Sequence, residues 1–176
     1  MNYGEIKPVD IANGIGVRVS LFVSGCRNKC KECFNPMTWS FQYGNVYTKE
    51  TETQIVDLLN KSFIEGLTIL GGEPFEPENQ ETVFQLVKRV REELPNKSIW
   101  IYSGFTYEEL IGAVQSRANL SITKDILKNI DVLVDGRFEI AQKDLSLKFR
   151  GSRNQRIIDV KKTLQNNEIV LSYLNN

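Results

Sequence analysis

The chain has 176 residues, 41% apolar and 25% charged, and its 22 Lys and Arg residues balance its 22 Asp and Glu residues. A net charge of zero argues against nucleic acid as a partner held by bulk positive charge, and no stretch approaches the roughly 20 apolar residues of a membrane helix. Residues Met1 to Asp10 lack the apolar core of a secretory leader, so the expectation is a cytoplasmic protein whose thiols stay reduced.

In chain order, Val17 to Val23 reads as a buried strand. Thr51 to Phe63 reads as a helix, with Ile55, Leu58, Leu59 and Phe63 on one face and Thr51/Gln54 as a capping box. Leu67 to Leu70 is a short strand, and Asn79 to Leu94 a helix carrying Val83, Val87, Val90 and Leu94 along one face. Ser98 to Tyr102 is a strand. Thr106 opens a helix with Glu109 three positions on, again a capping-box pattern. Ile122 to Ile130 forms a further helix, Asp131 to Val134 a strand, and Arg156 to Val160 the last strand.

Strands separated by helices imply crossover connections and a parallel sheet. A complete eight-fold barrel takes about 250 residues, so the expected fold is α/β, an open and incomplete TIM-like barrel: a curved parallel sheet with helices on its outer face. No linker or repeat divides the chain, and a single domain over residues 1–176 is expected. Ligands of such sheets sit at the carboxyl ends of the strands. Four polar, glycine-bearing loops follow the predicted strands there: Ser24-Gly25-Cys26, Gly71-Gly72-Glu73-Pro74, Ser103-Gly104-Phe105 and Asp135-Gly136-Arg137. All four are expected on one rim.

Every cysteine of the chain lies in the window Cys26-Arg27-Asn28-Lys29-Cys30-Lys31-Glu32-Cys33, and there is no histidine. Structural zinc normally takes four protein ligands; here Asp or Glu would have to complete the set. A disulfide framework prefers even cysteine counts and a secreted context. Thiolates suit iron and inorganic sulfide, and a four-iron cube held by three thiolates keeps one iron free for an outside ligand. Arg27, Lys29 and Lys31 either offset the charge of such a cluster or are solvated loop cations.

The spacing Cys26-x-x-x-Cys30-x-x-Cys33 resembles the signature of radical S-adenosylmethionine enzymes. Gly71-Gly72-Glu73-Pro74 resembles the glycine-rich motif that this superfamily places beside the methionine end of its cofactor. Asn13-Gly14-Ile15-Gly16-Val17-Arg18, Cys33-Phe34-Asn35-Pro36, Thr38-Trp39, Ser103-Gly104-Phe105, Val134-Asp135-Gly136-Arg137-Phe138 and Arg150-Gly151-Ser152-Arg153-Asn154-Gln155 resemble segments of the glycyl-radical activating enzymes, in particular the small activases of class III ribonucleotide reductases. The activases of pyruvate formate-lyase are a near alternative, and a non-enzymatic iron–sulfur redox sensor or a zinc-binding module a more distant one.

The resemblance implies an oxidoreductase with one [4Fe–4S] cluster on Cys26, Cys30 and Cys33 and S-adenosyl-L-methionine as cofactor. Gly71, Gly72 and Glu73 would hold its methionine end, and the backbone of Glu32, Cys33 and Phe34 with the Ser103–Gly104 loop would flank its adenosine. No side chain is expected to act as a catalytic group beyond cluster and cofactor. The implied partner is the anaerobic ribonucleoside-triphosphate reductase, as a hetero-tetramer or beside a homodimer of this chain. With only three cysteines no auxiliary cluster can be built, so electrons are expected from a carrier such as flavodoxin. One departure from the superfamily pattern is Glu32, where an aromatic residue often precedes the last cysteine; here the aromatic is Phe34.

Other features have bland and functional readings. Lys143, Lys148, Arg150, Arg153, Arg156, Lys161 and Lys162 form a basic stretch, either a solvated face or a surface for an acidic partner. Asp135 either contacts a ribose or cation or starts a turn. Trp39 and Trp100 read as packing residues, and Asn154-Gln155 as a candidate contact to the partner's glycine loop.

Overall fold

The computed structural model describes residues 1–175. One seven-stranded sheet organises them, in the order β3-β1-β2-β4-β5-β6-β7. The strands are β1 (Asn2–Asp10), β2 (Arg18–Val23), β3 (Asn45–Val46), β4 (Gly66–Gly71), β5 (Ser98–Tyr102), β6 (Val132–Asp135) and β7 (Arg156–Asp159). The helices are α1 (Lys49–Leu59), α2 (Pro77–Glu93), α3 (Tyr107–Ile111), α4 (Thr123–Asn129) and α5 (Val160–Asn166). The pairs β2–β4, β4–β5 and β5–β6 are parallel. The expected parallel sheet is therefore realised in its four central strands, and both edges are antiparallel: β1 against β2, and β7 against β6. The sheet is open, with β3 at one edge and β7 at the other.

Side-chain alternation explains the layering. Val19, Leu21, Leu67, Ile69, Ile99, Ile101, Leu133 and Ile158 point to one face, where Ile55 and Leu59 of α1, Val83, Val87 and Val90 of α2, Ile126 of α4 and Val160 of α5 join them in one core. The intervening residues point the other way. There Trp100, Val134 and Ile157 form a second, smaller cluster with Tyr102 and Phe149 packed against it. Helices thus cover one face, and the opposite face is left for the site.

Several boundaries differ from expectation, each for a local reason. β1 was hidden by Pro8, which the ladder tolerates because β3 pairs only with Asn2 and Tyr3 and leaves Pro8 on an edge. α1 starts one turn before the predicted capping box: Thr48 and Thr51 cap each other, side chain to backbone N–H at 3.3 Å both ways, and the helix stops at Leu59, leaving Phe63 57% exposed. α2 begins at Pro77, whose fixed φ suits a first turn. The predicted Thr106/Glu109 box is present at α3. Val160 belongs to α5 rather than to the last strand, because the Asp159 carboxylate accepts from the Lys162 N–H at 3.0 Å and starts a helix there.

The amino end of β2 holds a feature the sequence reading did not single out. Arg18 is fully buried. Its Nε donates to Thr68 Oγ1 at 2.7 Å, Nη1 to Ile15 O at 3.1 Å and Ser98 Oγ at 2.9 Å, and Nη2 to Leu67 O at 2.7 Å and Ser98 O at 3.0 Å. Its guanidinium carbon lies 5.2 Å from the Trp100 ring centroid. The acceptors are all neutral, and burial pulls the group down to about 10, still a cation at neutral pH. This explains the Asn13-Gly14-Ile15-Gly16-Val17-Arg18 segment physically. Gly14 has φ +138° and a Cβ there would lie 2.7 Å from Arg18 Cδ, so the chain can wrap the arginine only with glycine at that position.

Candidate cluster and cofactor site

The four loops predicted to share a rim do so. A cavity of about 700 Å³ is lined by Cys26, Cys30, Glu32, Cys33 and Phe34 after β2, by Gly71, Gly72 and Glu73 after β4, by Ser103 and Gly104 after β5, and by Gly136 and Phe138 after β6. Phe22, Leu70 and Tyr102 from the helix-free face of the sheet also line it, and so does the connection to β7 between Lys143 and Gly151. In the sequence, Lys143, Lys148 and Arg150 of that last wall read as part of a basic stretch, and Arg150-Gly151 as part of a segment resembling the activases.

Backbone hydrogen bonds build the cysteine loop into the sheet. Gly25 N–H donates to Thr38 O at 2.8 Å and Cys26 N–H to Trp39 O at 3.1 Å, which closes the loop at its base. Gly72 N–H donates to Val23 O at 2.7 Å and Glu73 N–H to Gly25 O at 2.9 Å, which ties it to the glycine motif. Cys33 N–H donates to Cys30 O at 3.1 Å, and Lys29 and Glu32 take left-handed backbone with φ of 46° and 57°. The three thiols are free and half-buried.

The donor set fits an iron–sulfur cluster. Three soft, unpaired sulfurs line one cavity. Among the described residues no three His, Cys, Asp or Glu side chains converge as they would around a single ion.

Burial pushes the Cys26 thiol up to about 11, with the Glu73 carboxylate adding to the shift. Burial also raises Cys30, against a hydrogen bond from the Phe138 backbone N–H. In metal-free protein Cys26 is therefore protonated at neutral pH, and metal uptake releases its proton. The thiolate fraction grows about tenfold per pH unit below the pKa. We expect the rate of Cys26 alkylation by iodoacetamide, followed by mass spectrometry in metal-free protein, to keep climbing past pH 10. A half-maximal rate at pH 8.5–9, the midpoint of an exposed thiol, would contradict it.

Glu73 is 1% exposed. Its Oε1 accepts from Phe75 N–H at 3.0 Å and Ser103 Oγ at 2.9 Å, and its Oε2 from Gly104 N–H at 2.7 Å and Asn28 Nδ2 at 3.2 Å. Burial pushes this carboxyl up to about 7 against the pull of those donors. One carboxylate thus joins the glycine motif, the Ser103–Gly104 loop and the cysteine loop. The Glu73 carbonyl accepts from Asn79 Nδ2 at 2.9 Å. Gly71 has φ +106° and a Cβ there would lie 2.8 Å from Phe22 Cα. Gly71→Ala should therefore cost about 3 kcal/mol through strain and backbone collision, measurable by denaturant unfolding of metal-free protein; a loss under about 1 kcal/mol would contradict this.

Sequence reasoning missed a second carboxylate. Glu76 is fully buried. It accepts from the Arg27 backbone N–H at 2.7 Å, Arg27 Nη1 at 2.9 Å, Arg117 Nε at 3.0 Å and Arg117 Nη2 at 2.8 Å. Arg27 also pairs with Glu78 and lies over the Phe41 ring at 4.4 Å, while Arg117 lies over Phe105 at 4.6 Å and reaches Asn28 Oδ1 at 2.9 Å. Arg27 therefore anchors the cysteine loop to α2 through carboxylates. The only sequence signal was the cluster Glu73, Glu76, Glu78 opposite a loop arginine.

Other candidates resolve into structural roles. Asp135 is fully buried and accepts from the Tyr107 N–H at 2.7 Å and from Arg156 Nε at 3.0 Å. Asn154 Nδ2 donates to Arg137 O at 2.8 Å and Gln155 Nε2 to Gly136 O at 3.0 Å, and Gln155 and Gly136 line the cavity. Most of the basic stretch is spoken for: Arg150 donates to Gln155 O and Asn175 O, Arg153 pairs with Asp144, Arg156 with Glu108 and Asp135, Lys161 with Asp131 and Lys162 with Asp159. Trp100 packs in the smaller cluster. Trp39 lines the cavity. Phe34, expected at the adenine by its backbone, is 88% exposed.

Residues 12–158 match the family model described as a 4Fe-4S single cluster domain. A Vibrio cholerae protein is 45% identical over 159 residues, covering 89% of this chain and 97% of that one, and is named anaerobic ribonucleoside-triphosphate reductase-activating protein. Proteins of the same name from Escherichia coli K12 and from phage T4 are 43% and 40% identical, covering 88% and 89% of this chain and 96% and 93% of theirs. This chain belongs to the family of anaerobic ribonucleoside-triphosphate reductase-activating proteins.

Proposed function

We propose that this protein activates the anaerobic, class III ribonucleotide reductase by generating a glycyl radical on it. The observation that carries this reading is the meeting of three free thiols, a glycine-rich turn and a polar loop around one cavity at the carboxyl ends of parallel strands. When bound, a [4Fe–4S] cluster would supply the one electron that reductive cleavage of S-adenosylmethionine requires, and that cleavage would supply the abstraction of a hydrogen atom from the target glycine.

The chain's own residues bind, orient and exclude water. Cys26, Cys30 and Cys33 hold the cluster. Gly71 and Gly72 admit the methionine end close to backbone, and Glu73 keeps that turn in register with the cysteine loop through its four donors. The backbone of Glu32 to Phe34 and the Ser103–Gly104 loop flank the adenosine. The open sheet with helices on one face supports an incomplete TIM-like barrel formed by a single radical S-adenosylmethionine domain over residues 1–176. Among the described residues no helix is long and apolar enough to cross a membrane, which agrees with a cytoplasmic setting. The electron donor is a carrier such as flavodoxin, and the working assembly is a complex with the reductase.

The test is anaerobic reconstitution with iron and sulfide. The account expects about four irons per chain, and 5′-deoxyadenosine once dithionite and S-adenosylmethionine are added. Iron-loaded protein that leaves the cofactor intact would make this a redox sensor, and a colourless protein holding one zinc would make it a binding module.

A further inference from the structure

We propose that Phe34 and Leu145 form the two lips that grip the glycine-bearing segment of the reductase at the mouth of the cavity. The inference rests on the proposed function, since the reaction requires a partner's backbone to enter this cavity. Phe34 is 88% exposed and Leu145 91%, and both line the cavity. A single exposed apolar side chain is ordinary; two of them at one mouth, on separate segments, are not. Phe34 sits on the loop after β2 and Leu145 on the connection between β6 and β7, with β4 and β5 between those strands in the sheet. An entering segment therefore meets an apolar side chain from either wall.

The occupant is a polypeptide rather than a further small apolar ligand because of what lies on the walls. Tyr102 and Trp39 line the cavity, and their hydroxyl and indole N–H are buried without a hydrogen-bond partner among the described residues, so they gain one only if the wall opens as the segment enters. A peptide backbone brings both donors and acceptors to such groups. The lip around Leu145 also carries charge. Lys143 lines the cavity and Lys148 follows Leu147 on the same wall; both are exposed, and among the described residues neither has a salt-bridge partner. Acidic groups flanking the reductase's glycine segment would meet them, so the encounter weakens as salt rises.

The experiment measures anaerobic binding of the purified reductase to the cluster-loaded protein, wild type against Leu145→Asp. Burying one leucine side chain in an interface is expected to matter by about tenfold or more. The variant should bind the reductase at least about tenfold more weakly, while forming 5′-deoxyadenosine from S-adenosylmethionine without reductase at the wild-type rate. Leu145→Ser serves as a second variant should the aspartate disturb the wall, as circular dichroism would show. If wild type marks the reductase with a glycyl radical and both variants bind as tightly as wild type, the lips are not the docking site. If either variant instead splits a homodimer and leaves reductase affinity intact, the face belongs to a second copy and the proposal is overturned. A wild-type protein that never marks the reductase would instead remove the proposed function itself.

Discussion

Replacing Cys26, Cys30 or Cys33 by alanine should leave a folded protein that no longer holds its iron or splits S-adenosylmethionine. The three thiols sit in a loop, are only partly buried and belong to neither apolar core. The fold around them rests on Gly25, Gly72, Glu73 and Glu76, whose hydrogen bonds do not involve sulfur. Unfolding free energy of the metal-free variants should therefore stay within about 1 kcal/mol of wild type, as for changes outside a packed core. Activity should fall by more than about 100-fold, because loss of a mere outer partner of a metal site already costs 10–100-fold. Iron analysis, product formation and denaturant unfolding of the same three preparations separate the two effects. A variant that retains full iron and turnover would remove that cysteine from the cluster.

The largest effect on stability is expected from Arg18→Ala. Removing this side chain strips donors from Thr68 Oγ1, the Ile15, Leu67 and Ser98 carbonyls and Ser98 Oγ, and opens a hole against Trp100. Each stranded buried acceptor costs about 1–3 kcal/mol, and the cavity adds to that. Partial relaxation reduces the sum, but a loss of about 4 kcal/mol or more remains, a large part of the 5–15 kcal/mol typical of a domain. At about 3 °C per kcal/mol for a chain of this size, the midpoint should drop by more than about 10 °C. Arg18→Lys should recover only part, since an ammonium cannot span acceptors on the turn before β2 and on β4 and β5 in a planar fork. A midpoint within about 3 °C of wild type for Arg18→Ala would contradict this reading of the buried network.

These two cases show what the sequence could and could not convey. The cysteine window and the glycine turn were legible because their chemistry is written in adjacent residues. The four central strands were legible because β2, β4, β5 and β6 are short apolar runs bounded by glycine, proline or polar residues. The edges were not: β1 carries Pro8 and mixed burial, β3 has two residues, and the direction of β7 depends on what it pairs with. Arg18 stood in plain view inside a recognisable segment, yet its burial depends on Thr68 and Ser98, brought to it only by the parallel register. Glu76 meets Arg27 and Arg117 across 49 and 41 residues, a distance no local pattern spans. The wall from Lys143 to Gly151 was misjudged for a similar reason. Read as composition it is basic; in space its one arginine, Arg150, is bonded to carbonyl oxygens, Arg153 just beyond it pairs with Asp144, and Leu145 and Leu147 line the cavity.

The account is tested most directly by electron spin resonance on the anaerobic ribonucleoside-triphosphate reductase after anaerobic incubation with the cluster-loaded protein, a reductant and S-adenosylmethionine. It predicts a glycyl-radical signal on the reductase that vanishes when S-adenosylmethionine is omitted or Cys30 is replaced by alanine. Full iron loading and cofactor cleavage with no radical on the reductase would contradict it.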